Sequence, residues 1–225
     1  MQAVILAAGK GARLRPLTYE IPKPLIEVGG KTLIDHAMHA LPSSIDEIFI
    51  VVNHLREQII ERVGPTWNDI PIRYVIQEPL SGTAGAVHLL REHLHGPFLV
   101  INSDDLYKKE DLERLVSHPR SILVFESGKH LEAGAQIEQN RFTGLGSGSL
   151  AVCGAYVLGP EFFDVEPVEI FVSQHREYGL PQTIVNLAKE QTIPPFANGG
   201  TITAVQATSW QQVGTHEELQ QARTL

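Results

Sequence analysis

A disulfide cannot form within this chain, because its 225 residues contain a single cysteine, Cys153. That thiol lies in the apolar stretch Leu150 to Leu158, where a buried, unreactive group is expected. Long hydrophobic runs are also missing. Runs such as Ile48 to Val52 and Phe98 to Ile101 fall far short of the roughly 20 residues a membrane-spanning helix needs. Met1 leads straight into the strand-like Ala3-Val4-Ile5-Leu6, which leaves no space for the charged and apolar regions of a secretory leader. No membrane segment and a cytoplasmic location are therefore expected. An overall excess of positive charge is lacking too: the formal net charge is −8, which argues against a general nucleic-acid binder. No internal repeat and no low-complexity tract is present, and no G-x-S-x-G elbow announces a nucleophilic serine. The ten histidines are scattered, and the close pair His36 and His39 has no third ligand at zinc-site spacing.

What is present is a hydrophobic content of 43%, enough for one sizeable core. Ala3 to Ala7, Glu47 to Val52, Ile70 to Ile76, Phe98 to Ile101 and Ser121 to Phe125 read as short apolar strands. Leu33 to Leu41, Leu55 to Val63, Thr83 to His95 and Lys109 to Val116 read as helices between them; Glu110 and Asp111 stand in the first turn of the last, as the helix dipole favours. This alternation predicts an α/β fold with a mainly parallel sheet, ligands binding beyond the carboxyl ends of its strands. After Glu126 the rhythm changes. Residues 132 to 158 read as hairpin strands around the glycine-rich turn "TGLGSGS", followed by a helix near Gln182 to Glu190 and strands near Thr201 to Gln206.

Charge is unevenly spread. Residues 1 to 25 carry Lys10, Arg13, Arg15 and Lys23 against Glu20 alone, a basic island that fits a small anionic ligand. It follows the end of the first strand, in "LAAGKGARLRPLTYEIPKPL". Gly9 and Gly11 let backbone amides approach an anion closely; Arg13 can fork onto phosphate oxygens, and Lys23 supplies a point charge. A dinucleotide fingerprint does not fit, since its third glycine would fall on Leu14, and "GGKT" at 29 to 32 lacks the earlier glycine of a P-loop, Leu25 standing there.

Residues 3 to 34, "AVILAAGKGARLRPLTYEIPKPLIEVGGKTLI", resemble the signature of the sugar-phosphate nucleotidylyltransferases, single-catalytic-domain NDP-sugar pyrophosphorylases. "QEPLSGTAGAV" at 77 to 87, "LVINSDDLY" at 99 to 107 and "SWQQVGTHEEL" at 209 to 219 follow in the family's order. The resemblance implies a Rossmann-like sheet of the nucleotide-diphospho-sugar transferase type with a small hairpin-containing acceptor lobe. It also implies one domain over residues 1–225, with a donor-binding half to about residue 126 and an acceptor-side half from about 127. The implied reaction joins an NTP and a sugar 1-phosphate to give an NDP-sugar and pyrophosphate. By the family pattern Leu6, Ala8, Gly9 and Gly11 contact base and triphosphate, Arg13 holds the β- and γ-phosphates, and Lys23 supports the α-phosphate. Gln77 and Gly82 match base-reading positions, and a side-chain amide suits uracil or thymine, so UTP or dTTP is favoured. Asp104 matches the Mg²⁺ aspartate, a hard carboxylate at a strand end, with Asp105 a lesser candidate. Gly134 and Val152 match sugar-lining positions.

Three departures fall on the metal and acceptor side. The second metal position is the neutral Gln212. The Glu-Lys-Pro segment that grips the sugar phosphate is missing, no lysine standing between Lys129 and Lys189. Pro181 and Gln182 replace a Thr-Asp pair. These leave a nucleotide or nucleotide-sugar sensor of the same fold as the alternative to an active enzyme. No membrane or nucleic-acid partner is expected, and a homo-oligomer is compatible with the sequence.

Overall fold

The computed structural model describes residues 1–172, 175–190 and 201–224. Its elements run in chain order as β1 (Gln2–Ala7), β2 (Glu27–Val28), β3 (Lys31–Thr32), α1 (Leu33–His39), β4 (Glu47–Val52), α2 (Arg56–Val63), β5 (Thr66–Trp67) and β6 (Ile70–Ile76). Then come α3 (Gly82–His88), β7 (Phe98–Asn102), β8 (Asp105–Tyr107), α4 (Lys109–Val116), β9 (Ser121–Glu138) and β10 (Arg141–Leu158). The chain continues with β11 (Glu169–Val172), β12 (His175–Tyr178), α5 (Leu180–Glu190), β13 (Thr203–Gln206), β14 (Trp210–Gln212) and α6 (His216–Ala222).

An eight-stranded sheet in the order β13-β9-β10-β7-β1-β4-β6-β5 forms the centre. Strands β6, β4, β1 and β7 pair in parallel, as the alternation of apolar strands and helices predicts. The side-chain period of two sorts these strands into two cores. Ala3, Ile5, Ile48, Ile50, Leu99 and Ile101 pack with Ile34 and Met38 of α1, Ile59 of α2 and Leu112 of α4. Val4, Phe49, Val51, Phe98 and Val100 face the other way, against Val87 of α3 and Ile184 and Leu187 of α5. Helices thus cover both faces, and burial of each large aliphatic side chain contributes on the order of 1.5–3 kcal/mol.

From β1 the chain passes through α1 to β4 on one side, and later returns through α3 to β7 on the other. This reversal places a switch point at β1, the position in such sheets where loops diverge and leave a crevice. The start of α1 is fixed by a reciprocal cap: the Thr32 hydroxyl accepts from the Asp35 amide at 3.2 Å, and the Thr32 amide donates to the Asp35 carboxylate at 3.3 Å.

Two expectations need correction. The turn of the long hairpin is not "TGLGSGS". It is Gln139-Asn140, both left-handed with φ of 49° and 62°, so that two residues join β9 to β10 as in a primed hairpin turn. The glycines lie inside β10, where the pairing with β9 is interrupted by register shifts between Phe142 and Gly144 and around Gly148. Glycine there marks bulges rather than a turn. The helix expected over Thr83 to His95 stops at His88, and the chain continues in tight turns with i to i+3 bonds, Arg91 to His88 and His93 to Leu90. The residue-126 division expected from sequence falls within β9, which joins the central sheet through β10 and β13. Cys153 is buried, as its apolar surroundings predict, and burial pushes its thiol far above the usual range. Among the described residues no helix is long and apolar enough to cross a membrane.

Candidate active site

A cleft of about 1140 Å³ opens beyond the carboxyl ends of β1, β6 and β7. Leu6, Ala8, Gly9, Gly11, Arg13, Lys23, Gln77, Gly82 and Asp104 all line it. Nine positions assigned from separate sequence segments therefore meet at one place.

The floor is the loop after β1. Gly11 is left-handed at φ +61°, and a Cβ there would stand 2.9 Å from Thr18 Cγ2 and 3.1 Å from Lys23 Cβ. Its carbonyl accepts from the Thr18 hydroxyl at 2.9 Å. Glycine is thus needed at 11 for the loop to fold over Thr18. Gly9 differs: a Cβ there would meet no protein atom within 4 Å. Packing does not demand glycine at 9, whereas close approach of a ligand would.

Charge is concentrated on the same floor. Lys23 is buried and its ammonium donates to Asp104 Oδ2. Arg13 is exposed and makes no ion pair or hydrogen bond among the described residues. Its guanidinium rests over Gly214, where a Cβ would come 2.7 Å from Arg13 Nη2. The Gly214 amide donates to Glu218 of α6 at 2.7 Å, so the C-terminal helix supports the surface on which Arg13 lies. An unpaired guanidinium facing a cleft is available for a bidentate anion.

On the opposite wall Gln77 is 2% exposed. Its Nε2 donates to Ser81 Oγ at 3.1 Å and to the Gly82 carbonyl at 2.8 Å. Both amide hydrogens are used, and Oε1 is left as the group for a ligand. Gly82 is left-handed at φ +83°, and a Cβ would lie 2.6 Å from the Tyr178 carbonyl. Glycine there lets β12 dock on the start of α3, the Tyr178 amide donating to Ser81 O at 2.8 Å. Docking brings His175 and Arg176 into the cleft wall. Sequence reasoning missed both, because a lone arginine on a polar strand 94 residues from Gly82 reads as a solvated cation. Lys10 and Arg15 also line the cleft; they were visible only as part of the basic island.

A second cavity of about 290 Å³ adjoins the first through shared residues Thr83 and Asn102. Asp105, Val152, Gln182, Trp210 and Gln212 are among its walls. Gly134 lines neither cavity; it sits opposite Gly146 in the hairpin, with space for a Cβ closed by the Leu150 carbonyl at 3.0 Å. Asp105 is 2% exposed, and its Oδ2 accepts from Asn102 Nδ2 at 3.0 Å and the Tyr107 hydroxyl at 3.2 Å. Burial first, then the neighbouring Asp104 carboxylate, raise Asp105 well above the usual carboxylate range. The Tyr107 phenol is raised by its own burial and next by Asp105.

The segments that carry the two positions expected to bind metal, Asp104 and Gln212, are joined by the pairing of β8 with β14. Gln212 stands opposite Asp105 in that pair, and the Val213 amide donates to the Asp104 carbonyl at 3.2 Å. No cluster of three His, Cys, Asp or Glu side chains suited to a metal occurs among the described residues. One carboxylate and one amide oxygen are hard donors, and Mg²⁺ characteristically takes few protein ligands, the rest being water and substrate phosphate. The donor set fits that ion.

A family model described as Nucleotidyl transferase matches residues 2–122. The bifunctional protein GlmU of Methanocaldococcus jannaschii is 30% identical over 202 residues, covering 86% of this chain and 48% of that protein. The UTP–glucose-1-phosphate uridylyltransferase AglF of Haloferax volcanii is 36% identical over 108 residues, covering 48% of this chain and 44% of its own. The chain thus spans about half the length of the first of these relatives. A solved UDP-glucose pyrophosphorylase complexed with UDP-glucose superposes with a TM-score of 0.77 at 19% identity, covering 99% of this chain and 97% of the other; that likeness concerns the fold.

Proposed function

The chain belongs to the nucleotidyl transferase family, and from that premise we propose that it transfers a nucleoside monophosphate from UTP or dTTP to a sugar 1-phosphate, releasing pyrophosphate. The observation that carries the reading is the cleft itself: a glycine loop, an unpaired Arg13 and the Lys23–Asp104 pair face Gln77 across one cavity. A triphosphate on the loop would meet backbone amides at Gly9 and Gly11, with Arg13 forking onto its β- and γ-oxygens. Lys23 lies deeper, where the α-phosphate would sit.

The acceptor is already an anion, so no general base is required. Its phosphate oxygen attacks the α-phosphorus, a new P–O bond forms, and the bond to the bridging oxygen of pyrophosphate breaks. The protein's task is to align two repelling anions and to stabilise charge in the transition state. Arg13 and Lys23 do the second. The cavity lined by Val152 lies beside the α-phosphate position and would take the acceptor. Asp104 and Gln212 would hold Mg²⁺, which when bound neutralises phosphate charge.

The base is read by Gln77. With both amide hydrogens engaged, Oε1 is an acceptor for the imino N–H that uracil and thymine carry and cytosine lacks. AglF, a relative named as a UTP–glucose-1-phosphate uridylyltransferase, agrees with that preference. An unpaired Arg13 beside a buried lysine supports catalysis over a purely sensing role. Pyrophosphate release across pairs of NTP and sugar 1-phosphate tests the proposal. UTP or dTTP with at least one hexose 1-phosphate gives product if it is right; nucleotide binding without product across a broad panel overturns it.

A further inference from the structure

Gly214, between β14 and α6, is a buried glycine whose own backbone does not call for one: unlike Gly11 and Gly82 it is not left-handed, so an ordinary residue could adopt its conformation. The place of its missing side chain is taken by Arg13. A Cβ there would lie 2.7 Å from Arg13 Nη2 and 3.2 Å from Cζ, and 3.1 Å from Glu218 Oε2. A guanidinium and a carboxylate oxygen thus flank the space that one methyl group would fill. They form no ion pair; Oε2 instead accepts from the Gly214 amide at 2.7 Å, while the Glu218 amide donates to the Thr215 hydroxyl at 3.2 Å. Backbone and side chain therefore clasp each other across the first turn of α6. The segment that carries Arg13 is tied to the same helix. His216 Nε2 donates to the Arg15 carbonyl at 2.9 Å, and Leu14, fully buried, packs with Val213, Leu219 and Ala222.

From this geometry we infer that Gly214 and Glu218 are positioning residues: together they form a seat that holds the Arg13 guanidinium in place before a phosphate arrives. The inference rests on the proposed function, since it concerns the arginine assigned there to the β- and γ-phosphates. An exposed arginine gives up rotamer freedom when it grips an anion, and a group held beforehand in the productive place gives up less. Glycine at 214 supplies the room. Glu218 fixes the backbone beneath the guanidinium through its bond to the Gly214 amide. Because its carboxylate makes no ion pair with Arg13, the N–H groups of the fork stay free for phosphate oxygens. Neither residue lines the part of the cleft that takes the base, so the seat acts on the phosphates through Arg13 alone.

A double-mutant cycle tests the seat. Gly214→Ala, Glu218→Ala and Glu218→Gln are each made alone and together with Arg13→Ala in the full chain. Two readouts are taken, pyrophosphate release from UTP with a hexose 1-phosphate and direct binding of UTP, and a melting curve is recorded for every variant. The atoms a methyl group at 214 would meet first belong to the movable ends of side chains, so Gly214→Ala should leave the thermal midpoint in place. Its kcat should fall about 10–100-fold, the scale of a catalytic group misplaced by about 1 Å. Glu218→Ala should lower kcat about tenfold, and Glu218→Gln, which keeps an acceptor for the Gly214 amide, should recover most of that loss. Once Arg13 is gone, Gly214→Ala and Glu218→Ala should each cost less than about twofold more, because residues acting through one group are not additive. A general defect in folding would instead multiply the losses. Losses that multiply in both readouts, or a Glu218→Gln protein as impaired as Glu218→Ala, overturn the inference while leaving the transfer reaction intact. A non-additive pattern in UTP binding without any product keeps the inference and overturns the reaction. UTP binding indifferent to Arg13→Ala and to both seat variants, again without product, overturns both.

Discussion

The two cavities are neighbours and yet their walls differ in chemistry. The larger presents charge, in Arg13, Lys23, Lys10, Arg15 and Arg176; the smaller presents neutral donors and acceptors with only one acid among them. Their construction differs in the same sense. The charged floor is a continuous stretch, residues 6 to 24, laid over the end of β1. The neutral wall is collected from β7, β10, α5 and β14, elements far apart in the chain. A polyanion can be held by mobile charges on a loop, because Coulombic attraction tolerates imprecise placement. A ring of hydroxyls is distinguished only by donors and acceptors held at fixed positions, and rigid elements supply these.

The contrast can be broken most severely from the charged side. Arg13→Ala should lower kcat about 10²–10³-fold, the range for loss of one donor to developing charge. The thermal midpoint should not move, since the side chain is exposed and touches no core. Pyrophosphate release and a melting curve check both halves. Next comes Asp104→Asn, expected to reduce Mg²⁺-dependent turnover by about 100-fold; full activity of wild type in a chelator would remove the basis for that number. Two glycines sharpen the comparison between fold and ligand. Gly82→Ala should destabilise by about 1–3 kcal/mol, because a left-handed backbone and the Tyr178 carbonyl both oppose it. Gly9→Ala should leave stability unaltered and raise the nucleotide KM about tenfold, the scale of one misplaced methyl group. The smallest effect is expected at the border of the two cavities. Gln212→Asp should lower the Mg²⁺ concentration for half-maximal rate about threefold by adding charge to the donor set; no change in the Mg²⁺ titration would take Gln212 out of the metal site.

Legibility in the sequence followed the same division. The strands Glu47–Val52 and Ile70–Ile76 and the helix Lys109–Val116 have the residue bounds read from apolar pattern alone. The charged floor was legible because it is local: glycines, cations and the preceding strand lie within 24 residues. Neighbouring-residue patterns could not show that His175 and Arg176 reach the cleft, because the contact between β12 and Gly82 depends on a missing side chain rather than on a present one. The hairpin turn is hidden in the sequence for a related reason. Gly144, Gly146 and Gly148 advertise a turn, whereas Gln139 and Asn140 adopt left-handed geometry with side chains that only tolerate it. Gln182 departs in sequence from a Thr-Asp pair, but that its Oε1 and Trp210 Nε1 are both left without a protein partner is a property of packing.

One short stretch belongs to both cavities. Trp210 and Gln212 stand in the wall of the smaller, and Gly214, two residues further on, is the seat of the Arg13 guanidinium in the larger. Four residue steps reach about 13 Å at most, even fully extended. The wall of the smaller cavity and the surface beneath Arg13 are therefore joined by one short piece of backbone, while Arg13 itself comes from the loop after β1. That piece acts as a gauge block between the two cavities, and the alignment of reacting groups is a quantity for which an error of about 1 Å can cost two orders of magnitude in rate. Inserting one residue after Val213 would lengthen that piece while keeping Trp210 and Gln212 in β14.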